Sequence, residues 1–164
     1  MTQTARLART VTIDVLVESD LWKEMEDAGS IVERAIAEAA AVLSTPRTEL
    51  AIVLTDDSAI RSLNRAWRGI DAATNVLSFP TSRGSSPLCL IGDIVLAYET
   101  IAREALDQHK PFAHHLAHLA AHGFLHLLGY DHERDRDAER MEEIECNVLR
   151  RLAIPDPYRP TRKA

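Results

Sequence analysis

All seven histidines of this 164-residue chain fall between His109 and His132. Three of them sit in the run His122-Gly123-Phe124-Leu125-His126-Leu127-Leu128-Gly129-Tyr130-Asp131-His132 at spacings that suit a single metal ion. Residues four apart on a helix lie one above the other, so His122 and His126 can offer two imidazoles to one ion. A third ligand cannot come from the same straight helix: His118, His122 and His126 span about 12 Å along the axis, too far for an ion about 2 Å from each nitrogen. The chain must turn back, and Gly129 is where it can, because glycine takes the left-handed conformation after a helix end at little cost. His132 then returns to the ligand face. Three neutral imidazoles leave a fourth tetrahedral position for water, the mark of a catalytic zinc site, here one ion per chain. The plain alternative, ordinary histidines on an amphipathic helix, accounts for the pair but not for the returning third.

Metzincin peptidases share the spacing H-x-x-x-H-x-x-G-x-x-H but carry a Glu general base after the first histidine. This chain has Gly123 there, which can neither take nor deliver a proton. A site without that carboxylate suits a substrate with a better leaving group than an amine, such as a phosphodiester. A metallopeptidase would need a displaced base, Asp93 or Asp131. Arg61, Arg65 and Arg68 stand at i, i+4, i+7; spacing alone reads as a solvated basic stripe, although a planar guanidinium is well shaped for phosphate. Further candidates each have a bland counterpart. Asp131 could accept a histidine ring N–H or cap a turn, and Asp93 could shuttle protons, orient a ligand or bond at a strand end. His114 and His118 continue the ligand face upstream by whole turns, and His118 is read as lining a substrate groove or aiding proton transfer. Thr74, Asn75 and Ser78 could touch a nucleic acid, with turn chemistry as the alternative for the first two.

The elements that must position these groups follow from periodicity. Residues 11–17 alternate like a half-buried strand, and 50–55 is a nearly continuous apolar run expected of a central strand. Ser30 and Glu33 have capping-box spacing and predict a helix opening there. Asp56 or Asp57 caps the next helix, with Ile60, Leu63 and Trp67 as its inward stripe and Gly69 at its end. Strands are expected at 75–79 and 88–97, separated by a Gly/Ser loop at 81–87. Helices follow at 98–108, at 111–128, and from Asp135 or Asp137 to 152 with Met141, Ile144, Val148 and Leu152 inward. The fold class is α+β, close to α/β: one domain over 1–164, a small mixed sheet packed by about five helices, the metal site at the end of a central helix, and a loose tail from about 155. The first ten residues, with Arg6 and Arg9, lack the apolar stretch of a signal peptide, and Gly92 and Asp93 interrupt the longest apolar run. Cys89 and Cys146 lack C-x-x-C spacing and read as buried thiols in a reducing compartment, so a cytoplasmic location and no membrane partner are expected. A net charge of −6 disfavours a general nucleic-acid binder, so any RNA contact must rest on locally concentrated positive charge.

The segment HGFLHLLGYDH resembles the signature of the YbeY family of bacterial rRNA-maturation endoribonucleases. The likeness extends through Leu63-Asn64-Arg65-Ala66-Trp67-Arg68-Gly69, Asp71, Thr74-Asn75-Val76-Leu77-Ser78-Phe79-Pro80 and Ile91-Gly92-Asp93-Ile94-Val95. Downstream it takes in Asp137-Ala138-Glu139 and the Asp156-Pro157-Tyr158 ending. Trp67 stands where the family often has another aromatic, and Asn75 where it often has aspartate. The resemblance implies a zinc hydrolase cutting single-stranded RNA in 16S rRNA 3′-end maturation and ribosome quality control, partnered by rRNA and ribosomal subunits. It also implies Arg68 as the residue facing the scissile phosphate. A non-catalytic, zinc-bearing ribosome-associated factor is the further alternative.

Overall fold

The computed structural model describes residues 11–81 and 89–158. Four strands, β1 (Val11–Val17), β2 (Thr48–Thr55), β3 (Val76–Pro80) and β4 (Leu90–Ala97), form one sheet in the order β1-β2-β4-β3. β1, β2 and β4 are parallel, and β3 runs antiparallel to β4 at the edge. Five helices accompany the sheet: α1 (Ala28–Leu43), α2 (Asp57–Arg68), α3 (Tyr98–Asp107), α4 (Phe112–Leu127) and α5 (Asp135–Arg151). The mixed sheet and helix count are those expected of an α+β domain. The loop foreseen at 81–87 lies outside the described residues except for Thr81.

Leu50, Ile52 and Leu54 of β2 and Ile94 and Leu96 of β4 share one buried face with Val32, Ile36, Leu116, Phe124 and Leu125 of α1 and α4. The opposite face is covered near its β3 edge by α2, where Ile60 packs with Leu77, Val95 and Ala97. Both sides of β4 are therefore filled, as its unbroken buried run from Ile94 to Ala97 requires. α4 packs on β3 and β4 and is also flanked by α1, α3 and α5, which is why its stripe widens until most of its residues are buried.

Several expectations are corrected. α1 opens at Ala28, two residues before Ser30, with Asp27 ahead of it and no side-chain cap, so the Ser30/Glu33 pair lies inside the helix. Tertiary packing of Ala28 and Val32 sets that start, not local capping. A 3-10 turn at Asp20–Glu24 escaped the pattern because its one buried residue, Trp22, is anchored by its indole N–H on the Thr55 carbonyl, 2.8 Å away. Trp67 faces solvent rather than the core: in the last turn of α2, just before the Gly69 cap, it meets the edge strand β3 at Phe79 and leaves most of its ring uncovered. Cys89 is exposed and Cys146 half-buried, so neither is the buried thiol expected.

Candidate metal centre

α4 carries His122 and His126 one turn apart and then stops. The Tyr130 N–H bonds the Leu125 carbonyl at 3.0 Å and the Gly129 N–H bonds that of His126 at 3.0 Å. This is the paired 6→1 and 5→2 closure of a Schellman motif, with Gly129 at φ +96° as its left-handed residue. The reversal brings His132 back, and one ring nitrogen from each of His122, His126 and His132 lies within 4.8 Å of the others.

Hydrogen bonds set the tautomers. His126 Nδ1 donates to the Tyr130 carbonyl at 3.0 Å, and His122 Nδ1 bonds Glu145 Oε1. Both Nε2 atoms are left as lone-pair donors, and they face each other at 3.0 Å. Two lone pairs at that distance repel unless a cation lies between them, and nitrogens sharing one zinc ion sit about 3.3 Å apart. Burial first, then the neighbouring His122 and His132, holds the His126 pKa below the usual imidazole range, which favours the neutral, ligating form. The residues fit a divalent ion with nitrogen preference.

Glu145 was missed by sequence reasoning, although its signal was present: an acid beside Ile144 on the buried stripe of α5, opposite a histidine-rich helix. It is fully buried and accepts from His122 Nδ1, from His118 Nε2 at 3.1 Å and from the Tyr158 hydroxyl. Burial alone would raise its pKa; the His118 and His122 N–H groups outweigh that and hold the carboxyl down at about 2. Such an acceptor on a ligand's far nitrogen fixes ring orientation and raises basicity. Tyr158, part of the segment expected to be loose, reaches this carboxylate and stacks edge-on with His118 at 5.7 Å.

The other candidates are distributed unevenly. Arg68, Trp67, Asn75, Ser78, Phe79 and Asp131 line, with the three histidines, one cleft of about 620 Å³. Asp131 accepts the His132 backbone N–H at 2.7 Å and so caps the turn. Ser78 donates to the Gly123 carbonyl at 2.9 Å, and Asn75 donates to Glu104 at 2.9 Å, a carboxylate shared with buried His115. His118 lies a turn behind His122 in an adjoining cavity, and His114 further still. Asp93 alternates with Ile94 and so points to the sheet face away from α4, exposed to solvent. The arginine stripe divides: Arg61 is held two-pronged by Asp71 at 2.9 and 3.2 Å, while Arg65 and Arg68 form no ion pair among the described residues.

α2 is fixed at both ends. The Asp57 carboxylate accepts the Thr100 N–H and hydroxyl at 3.1 and 2.6 Å while the Asp57 N–H donates to Glu99. The Asn64 amide donates to the Ala72 carbonyl at 2.9 Å. Arg68 is thereby carried on a rigid element facing the histidines.

An α+β domain with three converging imidazoles and a guanidinium in one cleft has the donor set for a metal ion, with a cation beside it suited to an anion. The chain belongs to the Endoribonuclease YbeY family, whose model matches residues 17–153. It is 52% identical over 164 residues to the Endoribonuclease YbeY of Nitrobacter winogradskyi, spanning 94% of this chain and 85% of that protein. It is 51% identical over 154 residues to that of Bradyrhizobium diazoefficiens, spanning 88% and 84%. The solution structure of TM1509 from Thermotoga maritima matches with a TM-score of 0.54 at 23% identity, over 93% of this chain and all of that one, a likeness of fold.

Proposed function

We propose that this chain is a zinc-dependent, single-strand-specific endoribonuclease of the cytoplasm. It acts in 16S rRNA 3′-end maturation and ribosome quality control, with rRNA and ribosomal subunits as partners. The observation that carries the reading is the shared cleft of His122, His126, His132 and Arg68, in a chain of the Endoribonuclease YbeY family.

Zinc, when bound, supplies Lewis acidity that makes water a nucleophile near neutral pH and polarises a phosphoryl oxygen. The protein's own contribution is positional. Glu145 and the Tyr130 carbonyl keep the protons of His122 and His126 on Nδ1, which leaves both Nε2 lone pairs free and would let them hold zinc together with His132. Arg68 pairs with a phosphate oxygen and stabilises the charge that grows as the bond to the leaving oxygen breaks. α4 seals the floor of the cleft against β3 at Gly123, where an added Cβ would lie 2.9 Å from Ile94 and 3.2 Å from Ser78. That contact weakens the peptidase alternative on physical grounds: a glutamate at position 123 would have to displace Ile94, Ser78 and Val76.

The test compares zinc-loaded wild type with Arg68→Glu on a defined single-stranded RNA, its duplex and an unstructured protein. Wild type is expected to cut the single strand alone, and Arg68→Glu to keep its zinc and lose cleavage. Hydrolysis of the protein with RNA untouched would select the peptidase, and wild-type cleavage by Arg68→Glu would remove the arginine from the mechanism.

A further inference from the structure

The chain has two tryptophans, and they differ sharply: Trp22 is 3% exposed and Trp67 is 73% exposed. A side chain this large and apolar, left mostly in water at a rigid helix end, contributes little of its area to the fold. Trp67 adjoins Arg68 in the last turn of α2 and lines the same cleft as the three histidines. Phe79 meets it edge-to-face, centroids 6.0 Å apart at 64°, which braces the indole and still leaves ring surface open to the cleft. Arg68 beside it has no ion pair among the described residues and can take a phosphate. An open aromatic face next to such a guanidinium matches one nucleotide: base on the ring, phosphate on the arginine.

We propose that Trp67, backed by Phe79, is a stacking platform for the nucleobase flanking the scissile phosphate. The proposal rests on the endoribonuclease reading and deepens it by giving single-strand preference a physical cause. A base can lie on Trp67 only after leaving its own stack, which an unpaired strand allows at low cost and a duplex does not. Stacking is indifferent to base identity, so the platform selects strandedness rather than sequence.

The experiment mixes zinc-loaded protein with a short single-stranded RNA in a stopped-flow fluorimeter and follows tryptophan emission before turnover. Trp22 is buried with its N–H bonded, so the signal reports Trp67. Wild-type emission is expected to be quenched on binding. Trp67→Ala should weaken binding roughly tenfold or more, with zinc content unchanged, while Trp67→Phe loses the signal but keeps affinity within severalfold. An RNA abasic next to the cleavage site should cost wild type about the same factor and cost Trp67→Ala nothing further. Binding and cleavage by wild type with steady emission and an unaffected Trp67→Ala would overturn the platform alone. Failure of wild type to bind or cut the RNA would overturn the endoribonuclease reading with it.

Discussion

Among the described residues Arg68 carries a charge with no ion pair, on a helix where Arg61 is already committed. Arg61 spends its guanidinium on Asp71, so the basic stripe suggested by i, i+4, i+7 spacing divides into paired and unpaired members, and spacing could not show which was paired. Arg68→Ala should leave fold and zinc content intact and lower single-turnover cleavage by roughly a hundredfold, the usual cost of one preorganised charge contact. Lysine at 68 should rescue in part, since a point charge lacks the bidentate fork. Wild-type rates for Arg68→Ala at saturating RNA would reduce the residue to a docking contact. Arg61→Ala should barely change the salt dependence of binding, because its charge is already neutralised, whereas Arg65→Ala should flatten the slope by about 0.7. The convergence of His122, His126 and His132 was legible at this scale because i, i+4 spacing and a glycine turn are geometric statements. Glu145 was not, since an acid is read as outward unless its buried partners on another helix are known.

At the level of elements, the helix-to-turn reversal after α4 assembles the ligand set. A Cβ added at Gly129 would meet no atom within 4 Å, so the constraint there is φ +96°, not space. Gly129→Val should therefore strain the reversal and weaken zinc binding without removing a ligand, measurable by competition with a chelator; undiminished affinity would show that the turn is not what presents His132. Gly123 is the opposite case: a helical glycine constrained by space against Ile94, Ser78 and Val76. Gly123→Ala should cost on the order of 1–3 kcal/mol in denaturant unfolding, and Gly123→Glu more, with no casein hydrolysis from the latter. An unchanged unfolding midpoint for Gly123→Ala would mean that α4 can lift from β3. Helix and strand types were readable from periodicity. Trp67 and the start of α1 were not, because each depends on where a neighbouring element ends.

Across the whole molecule, the metal centre ties α4, α5 and the residues after α5 together through one carboxylate. Glu145 is ionised in the fold at pH values where an ordinary glutamate is protonated, its pKa held at about 2. A depressed carboxyl contributes stability that is present above the ordinary range near pH 4.5 and is lost as pH falls toward 2. Glu145→Gln should lower stability at neutral pH and flatten the acid limb of the stability–pH curve; a mutant curve parallel to wild type would contradict that linkage. Tyr158 reaches the same carboxylate, a long-range contact that no local pattern between 152 and 158 could announce. The net charge of −6 is compatible with an RNA substrate because Arg68, without an ion pair among the described residues, places a positive charge in the cleft itself. The most direct test of the central claim is cleavage of a defined single-stranded RNA by protein stripped of metal and then titrated with zinc. Activity should be absent without metal, rise linearly to about one zinc per chain, and stay absent in His126→Ala at the same zinc concentration. Full cleavage by the stripped protein, or by His126→Ala, would contradict it.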